Sequence, residues 1–335
     1  MSQRTLAEIV GVSAMAISKY ERDLMVPSSG ILLRLAGALN LRVEYFFRPL
    51  SLNVTPQIYR KHASLGAKQE AALVSQIQEW LERYLETESL FNDEIHAVDL
   101  PCYQVASMNE VERAAESLRM EWNLGFAPIE NLIQVFEDNF IAIGLVQGFE
   151  HFDACTLRLN GAPVIATRHD IPGDRQRFNL AHELGHLVLQ IHLPLDQEKA
   201  AHRFAGAFLV PEKVARRELG SKRKKISDNE LHLLKHKYGL SMQAWIYRAQ
   251  DLGIITQSSA RRIFHIFRKN GWHRREPGRT YSPEKPSRLR HLVLRALAED
   301  IISRSRAEDL LGEPLEAFWY GQAQGETNVV VGIGG

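Results

Sequence analysis

The sequence predicts a mostly helical α+β chain that begins with a small all-α domain. Apolar residues recur at helical spacing through most of its length, as at Leu32, Leu35 and Leu39 near the N-terminus. Three short apolar runs follow one another between residues 140 and 167, and turn-forming residues border them, so we expect strands joined by hairpin turns there. Because helical patterns lie on both sides of these strands, they indicate an α+β domain.

The bulk composition is typical of a soluble protein with more than one domain. The chain has 335 residues, a formal net charge of +1 and 45% hydrophobic residues. At about 100–200 residues per domain, this length predicts two or three domains. The two cysteines, Cys102 and Cys155, are far apart and form neither a disulfide framework nor a zinc pair. The longest apolar runs, such as Phe204 to Val210, are far shorter than the roughly 20 residues of a membrane span. We therefore expect a cytoplasmic protein that has no membrane partner.

Local patterns divide the chain into four segments. We assign residues 1–48 to short helices joined by tight turns, 49–106 to a helical connector, 107–255 to the main α+β domain, and 256–335 to a helical C-terminal region with a disordered tail. The connector starts with a stretch that contains Pro49 and Pro56, and a long helix is expected after it, over about residues 67–88. A further helical stretch is expected over residues 288–311.

The main domain contains the motif His182-Glu183-Leu184-Gly185-His186. Residues four apart lie on one face of an α-helix, so both imidazoles can reach a single zinc ion. Glu183 lies about a quarter turn away, where it can contact a water on the zinc and act as the general base. Apolar neighbours on nearly every side indicate that this helix is buried. The competing interpretation is a buried helix whose two histidines only make hydrogen bonds.

A catalytic zinc site needs a third protein ligand and keeps one position for water. We expect Glu198 to be that ligand, because it begins a helical face of small residues that can pack closely on the first helix. His202, His192 and Glu212 are the alternatives, and His202 is the strongest of them. Glu198 could also be a solvated charge at the start of its helix.

The chemistry of such a site follows from its donors. Zinc lowers the pKa of its water toward about 7 and polarises the scissile carbonyl. Glu183 takes the proton and passes it to the leaving amine. An oxyanion donor is also required, and His202, Arg175 and the tyrosines are open candidates for it.

The sequences GDRQRFNLAHELGHLVLQ and EKAAHRFAGAFLVP resemble the ImmA/IrrE family of metallopeptidases. The shared elements are an Arg-Phe pair before the HExxH motif, the pattern E-x-x-A-x-x-F-A that starts at Glu198, and a closing proline, Pro211. The resemblance extends to residues 112–136 and 231–256. It implies a zincin-like α+β domain with zinc on His182, His186 and Glu198, and with Glu183 as the general base. Family members usually act on transcription repressors, and some are fused to DNA-binding domains.

Residues 2–41 resemble the XRE/Cro-type helix-turn-helix family. The matching residues are Leu6-Ala7, Gly11-Val12-Ser13, Ile17-Ser18 and Tyr20-Glu21. The resemblance implies a recognition helix that begins after Ser13 and enters the major groove. The candidate DNA contacts are Gln3, Ser13, Ala14, Met15, Ser18 and Lys19. The competing interpretation is a small helical packing module.

Two features of this N-terminal segment lead us to expect weak DNA binding. In the family a full helix precedes this motif, whereas here the sequence starts at Met1-Ser2-Gln3, so we expect an N-terminally incomplete domain. Ala14 and Met15 offer no hydrogen bonds to base edges and could contact only thymine methyl groups.

Taken together, these motifs predict a zinc-dependent endopeptidase coupled to a DNA-binding module. Such a protein would be a transcription or stress-response regulator that cleaves a repressor or partner protein, with DNA as a second partner through residues 1–48. The alternative is a DNA-binding regulator or antitoxin-like protein whose metallopeptidase domain binds or senses without cleaving.

Overall fold

The computed structural model describes residues 1–39, 41, 43, 46, 66–91, 100–159 and 161–316. The chain divides into two compact units, Met1–Asn53 and Val54–Gly335. Helices make up most of the described residues, and five short strands form two small sheets. The predicted α+β, mostly helical class is therefore confirmed. The expected disordered tail after residue 316 and the stretch containing Pro49 and Pro56 lie outside the described residues.

The N-terminal unit contains three helices: α1 (Gln3–Val10), α2 (Ala14–Glu21) and α3 (Ser29–Leu39). Their small core consists of buried apolar side chains, chiefly Leu6, Val10, Ile17 and Leu35. Gly11 ends α1 with φ +73°, a left-handed conformation that glycine adopts at no steric cost. The Ser13 hydroxyl accepts a hydrogen bond from the Ala16 N–H at 3.1 Å and caps α2. The sequence thus specifies a helix, a tight turn and a second helix.

The second unit contains the remaining elements. Its strands are β1 (Tyr103–Val105), β2 (Ala142–Val146), β3 (Ala154–Leu159), β4 (Ala162–Arg168) and β5 (Leu189–Ile191). Its first helices are α4 (Ala67–Ser89), α5 (Met108–Glu121), α6 (Leu132–Asp138), α7 (Gly173–Val188) and α8 (Gln197–Leu209). The later ones are α9 (Glu212–Leu219), α10 (Asp228–Tyr238), α11 (Met242–Asp251), α12 (Gln257–Lys269), α13 (Arg288–Ala298) and α14 (Arg304–Leu311).

The main sheet has the order β2-β4-β3. β3 and β4 form the predicted antiparallel hairpin, and β2 pairs in parallel with β4. β1 and β5 form a separate parallel pair. Nearly every residue of β3 and β4 is buried, and α7 packs against both strands. α4 packs on β2, where a Cβ added to Gly144 would lie 2.8 Å from the ring of Trp80. The sheet therefore provides a rigid support for α7.

Helices α7 and α8 pack closely because small residues meet at their contact. A Cβ added to Gly185 would lie 3.3 Å from Ala201 Cα and 3.2 Å from the Phe204 ring. Phe204 and Phe208, on α8, are buried and stacked, with ring centroids 5.7 Å apart. The start of α8 is thereby held beside the middle of α7.

Buried charges connect α7 to later parts of the chain. Lys235 on α10 lies 3.0 Å from Asp174, in the first turn of α7, and 2.9 Å from Glu276, and all three side chains are buried. The Gly173 N–H, at the start of α7, donates to the Tyr281 carbonyl at 2.9 Å. The guanidinium of Arg177 pairs with Glu284. The first turns of α7 are thus fixed by the segment from residue 276 to 284.

A second turn of the N-terminal type joins α10 to α11. α10 ends at Gly239, with φ +62°, and the Ser241 hydroxyl accepts from the Ala244 N–H at 3.1 Å. The following helix differs from α2, because Met242, Trp245 and Ile246 are all buried. In this second case both helices belong to the core of the larger unit. No helix in the described part of the chain is long and apolar enough to span a membrane.

Candidate functional site

Three side chains from α7 and α8 converge at one point. The Nε2 atoms of His182 and His186, one helical turn apart, are 3.1 Å from each other. Glu198, in the first turn of α8, places Oε2 3.6 Å from His182 Nε2 and Oε1 4.0 Å from His186 Nε2. One ligand atom from each of the three lies within 4.8 Å of the others, close enough to bind a single metal ion.

The donor set fits a catalytic zinc centre. Two imidazole nitrogens and one carboxylate are the ligands of one well-known class of catalytic zinc sites, and a fourth position stays open for water. His182 is buried, whereas the Glu198 side chain is 53% exposed, so the cluster borders solvent on the side of α8. Among the described residues, this is the one group of three or more histidine, cysteine, aspartate or glutamate side chains with suitable spacing. A polypeptide could reach a metal held here.

Glu183 points from α7 toward the sheet and is buried beside the cluster. Its Oε2 accepts a hydrogen bond of 2.7 Å from the Thr156 hydroxyl on β3. This bond fixes the carboxylate in one orientation. Thr156 was not predicted from the sequence, because 27 residues separate it from Glu183 and no motif connects the two.

Cys155, the neighbour of Thr156 on β3, is buried and lies within the electrostatic influence of the Glu183 carboxylate. Burial, and then the negative charge of Glu183, raise the pKa of the Cys155 thiol to about 12. The residue is therefore a neutral thiol near pH 7, which is neither a good nucleophile nor a good metal ligand.

The rival ligands lie elsewhere. The Nδ1 atom of His202 is 2.7 Å from Nδ1 of His182, on the side of that ring opposite to the Nε2 that faces Glu198. Glu212 accepts from Arg216 Nε at 2.7 Å, and His192, which follows β5, is exposed; neither belongs to the three-residue group.

Arg175, an open candidate for the oxyanion donor, forms an ion pair of 2.8 Å with Asp153. Arg177 of the Arg-Phe pair is fully buried and donates to the Ile129 carbonyl at 2.8 Å, so it stabilises the fold. Its neighbour Phe178 lies beside His202, with ring centroids 5.8 Å apart.

In the N-terminal unit, three of the candidate DNA contacts lie along one side of α2. Met15 is 68% exposed, Lys19 is exposed and Ser18 is half-buried. Residues three and four apart share a helix face, so these three side chains form a continuous strip. The strip offers one cation, one hydroxyl and one flexible apolar side chain.

The other three candidates have structural partners. The Ser13 hydroxyl caps α2, and the Gln3 amide donates to the carboxylate of Glu21. Ala14, which was expected to face the groove, is half-buried and packs against the three-helix core. Ala14 lies three residues before the buried Ile17, so the two share the face of α2 that meets the core.

Comparison with known proteins gives two matches. Residues 148–250 match the model of a peptidase family described as the IrrE N-terminal-like domain, and they include the HExxH motif and Glu198. Residues 1–46 match the model of the helix-turn-helix family. A search of curated proteins returns no match.

Proposed function

We propose that this chain, in which an XRE-type helix-turn-helix is fused to an IrrE N-terminal-like domain of a metallopeptidase family, is a zinc-dependent endopeptidase that acts in gene regulation. The observation that carries the proposal is the buried carboxylate of Glu183 beside the cluster of His182, His186 and Glu198. A metal site that only senses or stabilises does not require a carboxylate in this position, whereas hydrolysis requires a base.

In this proposal His182, His186 and Glu198 hold zinc, and Glu183 is the catalytic base. When bound, zinc would lower the pKa of a water toward about 7 and polarise the scissile carbonyl. The Glu183 carboxylate accepts the proton of the attacking water and donates it to the leaving amine. Thr156 orients that carboxylate through its hydrogen bond of 2.7 Å to Oε2. The exposed side of Glu198 leaves room for an extended peptide.

The substrate that we propose is a repressor or another partner protein bound near the same DNA. A helix-turn-helix in the same chain raises the local concentration of the peptidase around proteins at its operator. Recognition by proximity would relax the demand for a deep specificity pocket.

The Glu183→Gln variant tests the catalytic part of the proposal. Glutamine keeps the shape of the side chain but cannot act as a base, so zinc content should stay at about one per chain while cleavage falls at least about 100-fold. His182→Ala, in contrast, should lose both the zinc and the cleavage. Elemental analysis gives the zinc content, and mapping of new protein N-termini in cells that express each version gives the cleavage.

Two outcomes would contradict this proposal. Cleavage at the wild-type rate in Glu183→Gln would remove Glu183 from the mechanism. If transcriptional regulation persists in that variant and wild type itself generates no new N-termini, the metallopeptidase domain binds or senses without cleaving.

The DNA-binding part is tested with Lys19→Ala. A DNA fragment is first selected from a random-sequence library by the wild-type protein. Loss of a phosphate contact should weaken binding to it and reduce the slope of log affinity against log salt by about 1. Arg34→Ala on α3, which is exposed and makes the same charge change, is the matched control. An equal loss in both variants would show that α2 has no special part in DNA binding.

A further inference from the structure

His202 and His182 contact each other through their Nδ1 atoms, which have no part in the proposed zinc coordination. His182 Nε2 faces Glu198 and His186, at 3.6 Å and 3.1 Å. Its other ring nitrogen, Nδ1, lies 2.7 Å from Nδ1 of His202, and the ring centroids are 4.4 Å apart. The contact is short enough to be a hydrogen bond, which requires a proton on one of the two nitrogens and a lone pair on the other.

If His182 binds zinc, its own coordination determines which nitrogen carries that proton. A neutral imidazole that gives its Nε2 lone pair to a metal must carry its proton on Nδ1. His182 is then the donor, and Nδ1 of His202 must be the acceptor, so that the proton of His202 is on Nε2. Binding of one ion would thus fix the tautomers of both rings.

We propose that His202 is a positioning residue that orients His182 for metal binding. The inference rests on the zinc site proposed above and goes beyond it, because it gives the former rival ligand a different role. Partners that accept the outer N–H of a metal-bound histidine fix its ring orientation and increase its basicity as a ligand. In this proposal the exposed His202 raises the zinc affinity of the site without being a zinc ligand itself.

The position of His202 on α8 and its contact with Phe178 both hold its ring near His182. It lies four residues after Glu198, so α8 presents both side chains on the same face: Glu198 reaches one side of the His182 ring and His202 reaches the other. Phe178, one turn before His182 on α7, packs beside the His202 ring with centroids 5.8 Å apart. The close packing of α7 on α8 at Gly185 fixes the spacing of the two helices.

The experiment measures zinc and cobalt binding to the purified full chain. Zinc affinity is obtained by competition with a chromophoric chelator, and the ligand set is read from the visible spectrum of the Co²⁺-loaded protein. The variants are His202→Ala, which removes the acceptor, and His202→Asn, whose side-chain oxygen offers an acceptor close to the position of Nδ1. Glu198→Ala is the control for a lost ligand, and the exposed His192→Ala is the control for a lost histidine outside the cluster.

The expected result is a loss of zinc affinity of about 10–100-fold in His202→Ala, with the cobalt band unmoved. His202→Asn should recover most of the affinity, Glu198→Ala should lose more and shift the band, and His192→Ala should match wild type. Wild-type affinity in His202→Ala would overturn the inference. A cobalt band that shifts as in Glu198→Ala would make His202 a ligand instead. Failure of Asn to restore affinity would assign the effect to packing. If wild type binds no zinc, the proposed function fails together with this inference, whereas the other outcomes concern His202 alone.

Discussion

Replacing Lys235 by methionine should destabilise the larger unit far more than an ordinary change of lysine on a helix surface. The ammonium group lies 3.0 Å from Asp174 and 2.9 Å from Glu276, and all three side chains are buried. Methionine has nearly the same length as lysine, so the variant removes the charge and leaves little empty space. Two carboxylates then remain buried without their cation.

The size of the loss in unfolding free energy depends on the hydrogen bonds that those carboxylates retain. Breaking a buried ion pair by removing one partner costs about 3–5 kcal/mol. Glu276 still accepts from the N–H groups of Met242 at 3.1 Å and Gln243 at 3.0 Å, at the start of α11, where a negative charge is favoured. We therefore expect the free energy of unfolding to fall by the lower end of this range, about 3 kcal/mol.

The pH of the measurement can be chosen from the lysine itself. Burial lowers the pKa of Lys235, but its hydrogen bond with Glu276 and the negative charge of Asp174 outweigh burial and raise the pKa above the ordinary value. A raised pKa in the folded state means that the stabilisation is complete below the unfolded pKa of about 10.4 and is lost only as pH rises through the folded value. Measurement at pH 7 therefore captures the whole contribution.

Urea unfolding followed by tryptophan fluorescence is the assay. All five tryptophans follow residue 53, so the signal reports on the larger unit alone. With a slope of about 3 kcal/mol per molar urea, the midpoint should fall by roughly 1 M. Lys237→Met is the matched control, because Lys237 lies on the same helix, 2.9 Å from Glu218, and its side chain is 50% exposed. An exposed pair contributes about 0–1 kcal/mol. Equal midpoints for the two variants would refute the reasoning.

Two further predictions concern β3, the strand that α7 packs against. Thr156→Val should keep zinc but slow cleavage about 10–100-fold, because the carboxylate of Glu183 loses a charge-assisted hydrogen bond. Thr156→Ser keeps the hydroxyl and should stay near wild type. Initial rates that are equal in all three proteins would exclude a role for this bond. Cys155 should resist iodoacetamide at pH 8 while exposed Cys102 reacts, because burial and the charge of Glu183 raise the pKa of Cys155 to about 12. Peptide mass spectrometry would measure both sites, and equal labelling would contradict the buried position of β3.

Local patterns were sufficient for most of the helices and strands. The apolar runs and turn residues around β3 and β4 predicted a hairpin that the structure contains, because register within a hairpin depends on neighbours in sequence. The expected single stretch over residues 288–311 is instead two helices, α13 and α14. The break follows from Asp300, whose φ is +55°, and from Ser303, whose hydroxyl caps α14. Periodicity alone does not reveal such an interruption.

Contacts between distant segments could not be predicted in the same way. The two histidines and Glu198 were predicted to meet because helix geometry and close packing are local arguments, and the structure brings their ligand atoms together. The bond from Thr156 to Glu183 joins a strand to a helix, and the pairing of Lys235 with Glu276 spans 41 residues. Spacing in the sequence carries no information on such pairs, since they depend on how the complete unit packs.

The glycine-serine turn that occurs at both Gly11 and Gly239 shows that one backbone shape can have two unrelated uses in a single chain. After Gly11 it presents a helix whose outer side meets solvent, whereas after Gly239 it places Trp245 in the core of the larger unit. A Cβ at position 239 would lie 2.4 Å from Arg177 Nε on α7, the helix that carries the proposed metal ligands His182 and His186. A survey that recognises DNA-binding modules by turn geometry would count two of them here. Under the proposed function, a distorted second turn would be expected to disturb the metal ligands on α7 and to leave DNA affinity unchanged.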